Sequence, residues 1–135
     1  MSKITRIVAR EILDSRAVPT IETSILTDSG AFGTASIPSG ASTGKNEDVE
    51  LRDGDPLRYH GHGVLKAINN ITSVIAPALL GHEVSDQEGL DQLMLKLAGT
   101  HNESHLGANA ILSVSIAAVK TAARDARQPL FVYLN

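Results

Sequence analysis

An α+β fold, a three-stranded antiparallel meander followed by a helical bundle, is predicted by two observations. Up to residue 37 the apolar residues fall in short, β-branched-rich runs separated by turn residues; from residue 62 onward they recur every three or four positions. A third observation sets the scale. A length of 135 residues with 42% apolar and 20% charged side chains suits one globular domain with a single core, and excludes a disordered chain. One domain is therefore expected over residues 1–135, with strands at about 3–37, a loop at 38–46 and helices at about 62–135.

The elements follow in order. Ile4, Ile7, Val8, Ile12 and Leu13 carry the first strand, and residues 21–27, IETSILT, the second. Between them the polar run ending in Pro19 marks a connection. Asp28-Ser29-Gly30 is turn chemistry and hands the chain on to a third strand at 31–37. In the helical part, Val64, Ile68, Ile71 and Ile75 form one apolar stripe that Pro77 and Gly81 are expected to break. Ser85 and Glu88 have the spacing of a capping box, after which Leu90, Leu93, Met94 and Leu97 line one face up to Gly99. Residues 107–127 are alanine-rich, with Ile111, Leu112, Ile116 and Val119 as the larger members, and Gln128-Pro129 stops that helix. Its many small residues predict close packing on neighbouring helices.

Bulk properties exclude several functions. The net charge of −3 offers no nucleic-acid footprint, and the absence of cysteine removes disulfides, thiolate metal sites and a cysteine nucleophile. The N-terminus has no uninterrupted apolar stretch of the signal-peptide kind, and the longest apolar run, 74–80, is too short to span a bilayer. A cytoplasmic location is expected. The chain ends on the apolar run LFVYLN with no polar tail, which predicts a piece of something longer; a short terminal helix docked on the core is the plainer reading.

Chemistry has few places to reside. Ser39-Gly40-Ala41-Ser42-Thr43-Gly44 lacks any nucleotide-binding fingerprint, but its glycines relax the backbone and its hydroxyls and carbonyls are hard oxygen donors of the kind Mg²⁺ takes. It reads as a hinged lid or as an ordinary surface connection. His60, His62, His82, His101 and His105 have no H-E-x-x-H context and read as exposed loop histidines rather than a zinc site. Glu47, Asp48, Glu50, Arg52, Asp53 and Asp55 read as solvated charge. Arg10, Arg16 and Glu22 lie in the strand region, where charges find partners across an interface or protect a sheet edge.

Four motifs then converge: DSR followed by Pro19-Thr20, PSGASTG at 38–44, ELRDGD at 50–55 and GANAIL at 107–112. Their order and spacing, over essentially the whole chain, resemble the N-terminal domain of enolase, the phosphopyruvate hydratase of glycolysis. The resemblance implies a small α+β domain that precedes an α/β barrel absent from this chain. It implies a lyase that interconverts 2-phosphoglycerate and phosphoenolpyruvate with two Mg²⁺ per active site, acting as a homodimer or higher homo-oligomer. Base, acid and metal carboxylates belong to the barrel, so no catalytic residue is expected here and these residues alone are expected to be inactive.

What the resemblance carries over is the lid of Ser39, Gly40, Ala41, Ser42, Thr43 and Gly44, with Ser42 as the ligand that completes the second Mg²⁺, and Arg10, Arg16 and Glu22 as dimer or interdomain contacts. Departures are Ala17-Val18 in place of the family's Gly-Asn, Ala98 in place of an aspartate, and His62 and His105 at usually basic places. Should position 17 take a positive φ, Ala17 would be strained by about 1 kcal/mol. A divergent domain kept as a non-catalytic binding or structural module is the alternative.

Overall fold

The computed structural model describes residues 2–37, 50–101 and 106–135, with the side chains of residues 100 and 101 excepted. Three strands, β1 (Ile4–Leu13), β2 (Pro19–Thr27) and β3 (Phe32–Ser36), pair antiparallel in the order β1-β2-β3, which is the predicted meander. Register places Ile7 opposite Ile25, Ala9 opposite Thr23 and Glu11 opposite Ile21, with Gly33 and Ala35 continuing that face on β3. Ile4 and Ile7, three apart, would face opposite sides of a regular strand. A register shift between Ile4 and Arg6 turns both inward, where both are buried.

The β1–β2 connection is an aspartate-bonded turn. Asp14 Oδ1 accepts from the Arg16 and Val18 N–H groups at 2.8 and 3.0 Å, and Ala17 takes φ +61°. Ala17 thus occupies the left-handed region, where its Cβ crowds the carbonyl that follows.

Helices cover one face of the sheet. In order they are α1 (Leu65–Asn70), α2 (Ala76–Leu79), α3 (Gln87–His101), α4 (Ala108–Asp125) and α5 (Leu130–Tyr133). Pro77 does not break the first stripe. A π-turn over Ile71–Ile75 joins α1 directly to α2, with the Ala76 N–H reaching Ile71 O, and Pro77 falls in the first turn of α2, where a missing N–H is tolerated. Gly81, at φ +87°, follows the helical run. The cap of α3 is Asp86 rather than Ser85: its Oδ1 accepts the Gly89 N–H at 3.1 Å, while Ser85 Oγ turns to Glu83. Gly99 does not end that helix, which runs on to His101.

The alanine-rich helix α4 packs on the sheet more than on other helices. Its buried face is Ala110, Val114, Ala117, Ala118, Thr121 and Ala122, whereas Leu112 is half-exposed. A Cβ added at Gly33 of β3 would lie 2.7 Å from the Thr121 backbone N and 2.9 Å from its Cα. Helix and strand therefore touch backbone to backbone. Large residues from elsewhere complete the core: Ile4, Ile21, Ile25, Ile71, Ile75, Leu79, Leu90 and Met94. The chain closes on α5, with Tyr133 partly packed on this core and Phe131 and Leu134 exposed. No helix among the described residues is long and apolar enough to cross a membrane.

Two stability changes of opposite sign follow. Gly33→Ala is expected to destabilise by about 3 kcal/mol, at the upper end of overpacking costs, and Thr121→Ala should not rescue it because the clash is with backbone. Ala17→Gly is expected to stabilise by about 1 kcal/mol. Urea denaturation of each variant reads both, and a neutral Gly33→Ala would contradict the close approach.

Candidate functional site

The residues Ser39, Gly40, Ala41, Ser42, Thr43 and Gly44 lie outside the described residues; the two ends that flank them do not. At one end the buried Ile37 donates its N–H to Ile21 O at 3.1 Å, and its carbonyl accepts from Thr20 Oγ1. At the other, Leu51 is bonded by the Asn109 carboxamide through both its N–H and its carbonyl, at 3.0 and 3.1 Å. Arg52 follows, donating to Pro19 O and, at 2.7 Å, to His62 O, with Glu50 as its ion-pair partner at 2.9 Å. Both ends are thus secured at the first residues of β2, which hold Ile37 on one side and Arg52 on the other.

The charged run after residue 49 is therefore more than solvated charge. Asp53 accepts the Leu65 N–H on Oδ2 at 2.9 Å and the Lys66 N–H on Oδ1 at 2.8 Å, satisfying first-turn donors of α1 from 12 residues upstream. Glu11, reaching from the core face of β1, accepts the Val64 N–H on Oε2 at 2.9 Å. Arg58 binds Glu11 through both terminal nitrogens and stands 3.9 Å from Asp53. Two carboxylates at the positive end of a helix, with a guanidinium between them, make a stable arrangement of charge. The hydrogen bonds from Arg58, above all, hold the Glu11 carboxyl below the usual carboxylate range; burial opposes this and the Val64 N–H reinforces it. The same contact raises Arg58 further above its ordinary value.

This network lies beside an unusual turn. Tyr59, His60 and Gly61 take φ values of +50°, +52° and +86° in succession, closed by Gly61 N–H to Arg58 O and His62 N–H to Tyr59 O. Left-handed backbone at two residues other than glycine is costly and persists only where surroundings enforce it. Here the enforcement is visible. The Arg58 guanidinium lies 5.0 Å above the Tyr59 ring, and the Gly54 N–H bonds Gly61 O.

On the opposite face of the sheet, Arg10 and Glu22 are directly opposed in register and paired at 2.5 Å, and Ser36 Oγ donates to Glu22 at 3.1 Å. Arg16 is at the end of the same hairpin, its Nη2 3.6 Å from Asp14 Oδ2. The structure so brings Arg10 and Glu22 together and sets Arg16 apart, on the turn. His60 and His62 are exposed on the left-handed turn and His82 is exposed before α3; His105 and the side chain of His101 lie outside the description. Among the described residues no group of three or more His, Asp or Glu side chains could hold a metal ion.

Glu11, Arg58 and Asn109 are contributors that sequence reasoning missed. For Glu11 a signal existed: its parity with Ile7 and Ala9 puts it on the inward face of β1. The family model described as "Enolase, N-terminal domain" matches residues 4–134.

A group whose carboxyl is depressed in the folded state contributes stability that is present above its unfolded value and is lost as pH falls through the folded one. Glu11 is such a group, and Asp125, bonded by Ser2 and Ser29, acts with the same sign. Glu11→Gln is expected to lower the urea midpoint at about pH 7 and to flatten its decline between about pH 5 and pH 3. An acid decline as steep as that of the unaltered chain would remove Glu11 from this role.

Proposed function

The chain belongs to the enolase N-terminal domain family, and from that premise we propose that it serves a Mg²⁺-dependent lyase interconverting 2-phosphoglycerate and phosphoenolpyruvate. The observation that carries this reading is the family match over residues 4–134. In the proposed arrangement residues 39–44 form the lid of the active site and Ser42 supplies hard oxygen donors to the second Mg²⁺. That cation, when bound, supplies the positive charge needed where a proton is withdrawn beside a substrate carboxylate. The chain's own part is to present the segment from two anchored ends, Ile37 and Leu51, so that closing it costs little reorganisation elsewhere.

The outer face of the sheet, with Arg10 and Glu22 at its middle and Arg16 at one end, is proposed as a contact surface in a homodimer or higher homo-oligomer, or with the barrel. A cytoplasmic enzyme of glycolysis and gluconeogenesis is the corresponding setting.

Two measurements test this. The 135 residues purified alone are expected to show no dehydration of 2-phosphoglycerate, and turnover by them would contradict the assignment of base, acid and metal carboxylates to the barrel. In the enzyme with its barrel, Ser42→Ala is expected to weaken the second Mg²⁺ by on the order of tenfold and to lower kcat. It should change stability by less than about 0.5 kcal/mol. An unaltered Mg²⁺ titration and rate would take Ser42 out of the mechanism.

A further inference from the structure

We infer that Asn109 is a positioning residue, whose carboxamide stands in for a neighbouring strand at Leu51 and so sets where Leu51 and the residues that follow it lie. Asn109 is 7% exposed and second in α4. Its Oδ1 accepts from the Leu51 N–H at 3.0 Å and its Nδ2 donates to the Leu51 carbonyl at 3.1 Å. This is the paired exchange that two residues of adjacent antiparallel strands make, here supplied by one side chain. Oδ1 also accepts the Ala110 N–H at 3.1 Å, so the same oxygen serves a donor in the first turn of α4.

Few other side chains satisfy that set. Alanine leaves the Leu51 N–H and carbonyl without these partners, and aspartate keeps the acceptor while turning a carboxylate oxygen on the Leu51 carbonyl. The approach is guarded by Gly107, at φ +90°, where an added Cβ would come within 2.6 Å of Asn109 Oδ1 and 2.7 Å of Leu51 Cβ. What Asn109 holds is consequential because Leu51 leads straight into Arg52 and Asp53. Those two reach Pro19 and the N-terminus of α1. One carboxamide thereby ties the first turn of α4 to the start of β2 and to α1.

The consequence for catalysis rests on the proposed function, in which the segment between Ile37 and Leu51 carries Ser42. The contact itself does not, and the experiment is chosen to read the contact alone. Amide hydrogen exchange by NMR is measured on the chain and on Asn109→Ala and Asn109→Asp. In Asn109→Ala the Leu51 amide is expected to exchange at least about tenfold faster, with a smaller change at the buried Ile25 amide of β2. In Asn109→Asp the Leu51 amide stays protected, because the acceptor remains, while the Leu51 carbonyl ¹³C resonance moves upfield on losing its donor. Should Asn109→Ala unfold the chain, the Asn109→Asp pair of readings decides. Exchange at Leu51 that is unchanged, or that rises only in step with Ile25, overturns the proposal. So does an unmoved carbonyl resonance in Asn109→Asp. None of these readings requires turnover, so an error in the proposed activity would leave them standing.

Discussion

The backbone contact between β3 and α4 at Gly33 and Thr121 is the constraint on which the rest of the structure depends. A helix that comes so close to a sheet has little room for large side chains at the crossing, which is why the buried face of α4 is mostly alanine. Hydroxyls replace bulk along this seam. Thr23 and Ser113 bond each other, and Thr121 Oγ1 donates to Ala117 O at 2.7 Å, so that buried polar atoms find partners within the interface. With two phenylalanines, two tyrosines and no tryptophan, the chain has few large rings with which to fill gaps. Close approach is its alternative way of excluding voids.

Setting α4 against the sheet fixes the position of its first turn, and Asn109 with it. From there the connections are polar and specific: Asn109 to Leu51, Arg52 to Pro19, Asp53 and Glu11 to the start of α1. Helix α1 has no side-chain cap of its own at Val64. Its N-terminus is satisfied by carboxylates from a strand and from a loop, and Arg58 offsets the cost of bringing two negative groups near each other. The left-handed turn at Tyr59–Gly61 is then the geometry needed to bring Arg58 and Gly63 together: a Cβ at Gly63 would sit 2.7 Å from Asp53 Oδ2 and 2.8 Å from Arg58 Nη1. Strain in the backbone is held by electrostatics in the side chains.

These connections surround the ends of the segment that carries the lid residues in the proposed function. Ile37 and Leu51 are secured by different groups, a threonine hydroxyl and a strand carbonyl on one side and a carboxamide on the other. The outward face of the hairpin, with Arg10 and Glu22 in register, adjoins the first anchor, because Ser36, which bonds Glu22, directly precedes Ile37.

The amino-acid sequence by itself determined the class of fold, the strand and helix regions and the family, because hydrophobic period and turn chemistry are local and the four motifs stand at characteristic spacings. It also marked position 17 as a place of possible strain, which the φ of Ala17 bears out. Tertiary structure alone decided the remainder. That α4 packs on the sheet, that Pro77 sits inside a continuous helical run by way of a π-turn, and that Asp86 caps α3 all depend on which partners lie opposite. Arg52 and Asp53 read as solvated charge because their partners, Pro19 and the start of α1, are distant in sequence. Asn109 was silent for the same physical reason, and the parity that turns Glu11 inward did not name Val64 and Arg58 as its partners. A buried polar side chain has its role set by the groups it meets after folding, and no local pattern names groups dozens of residues away.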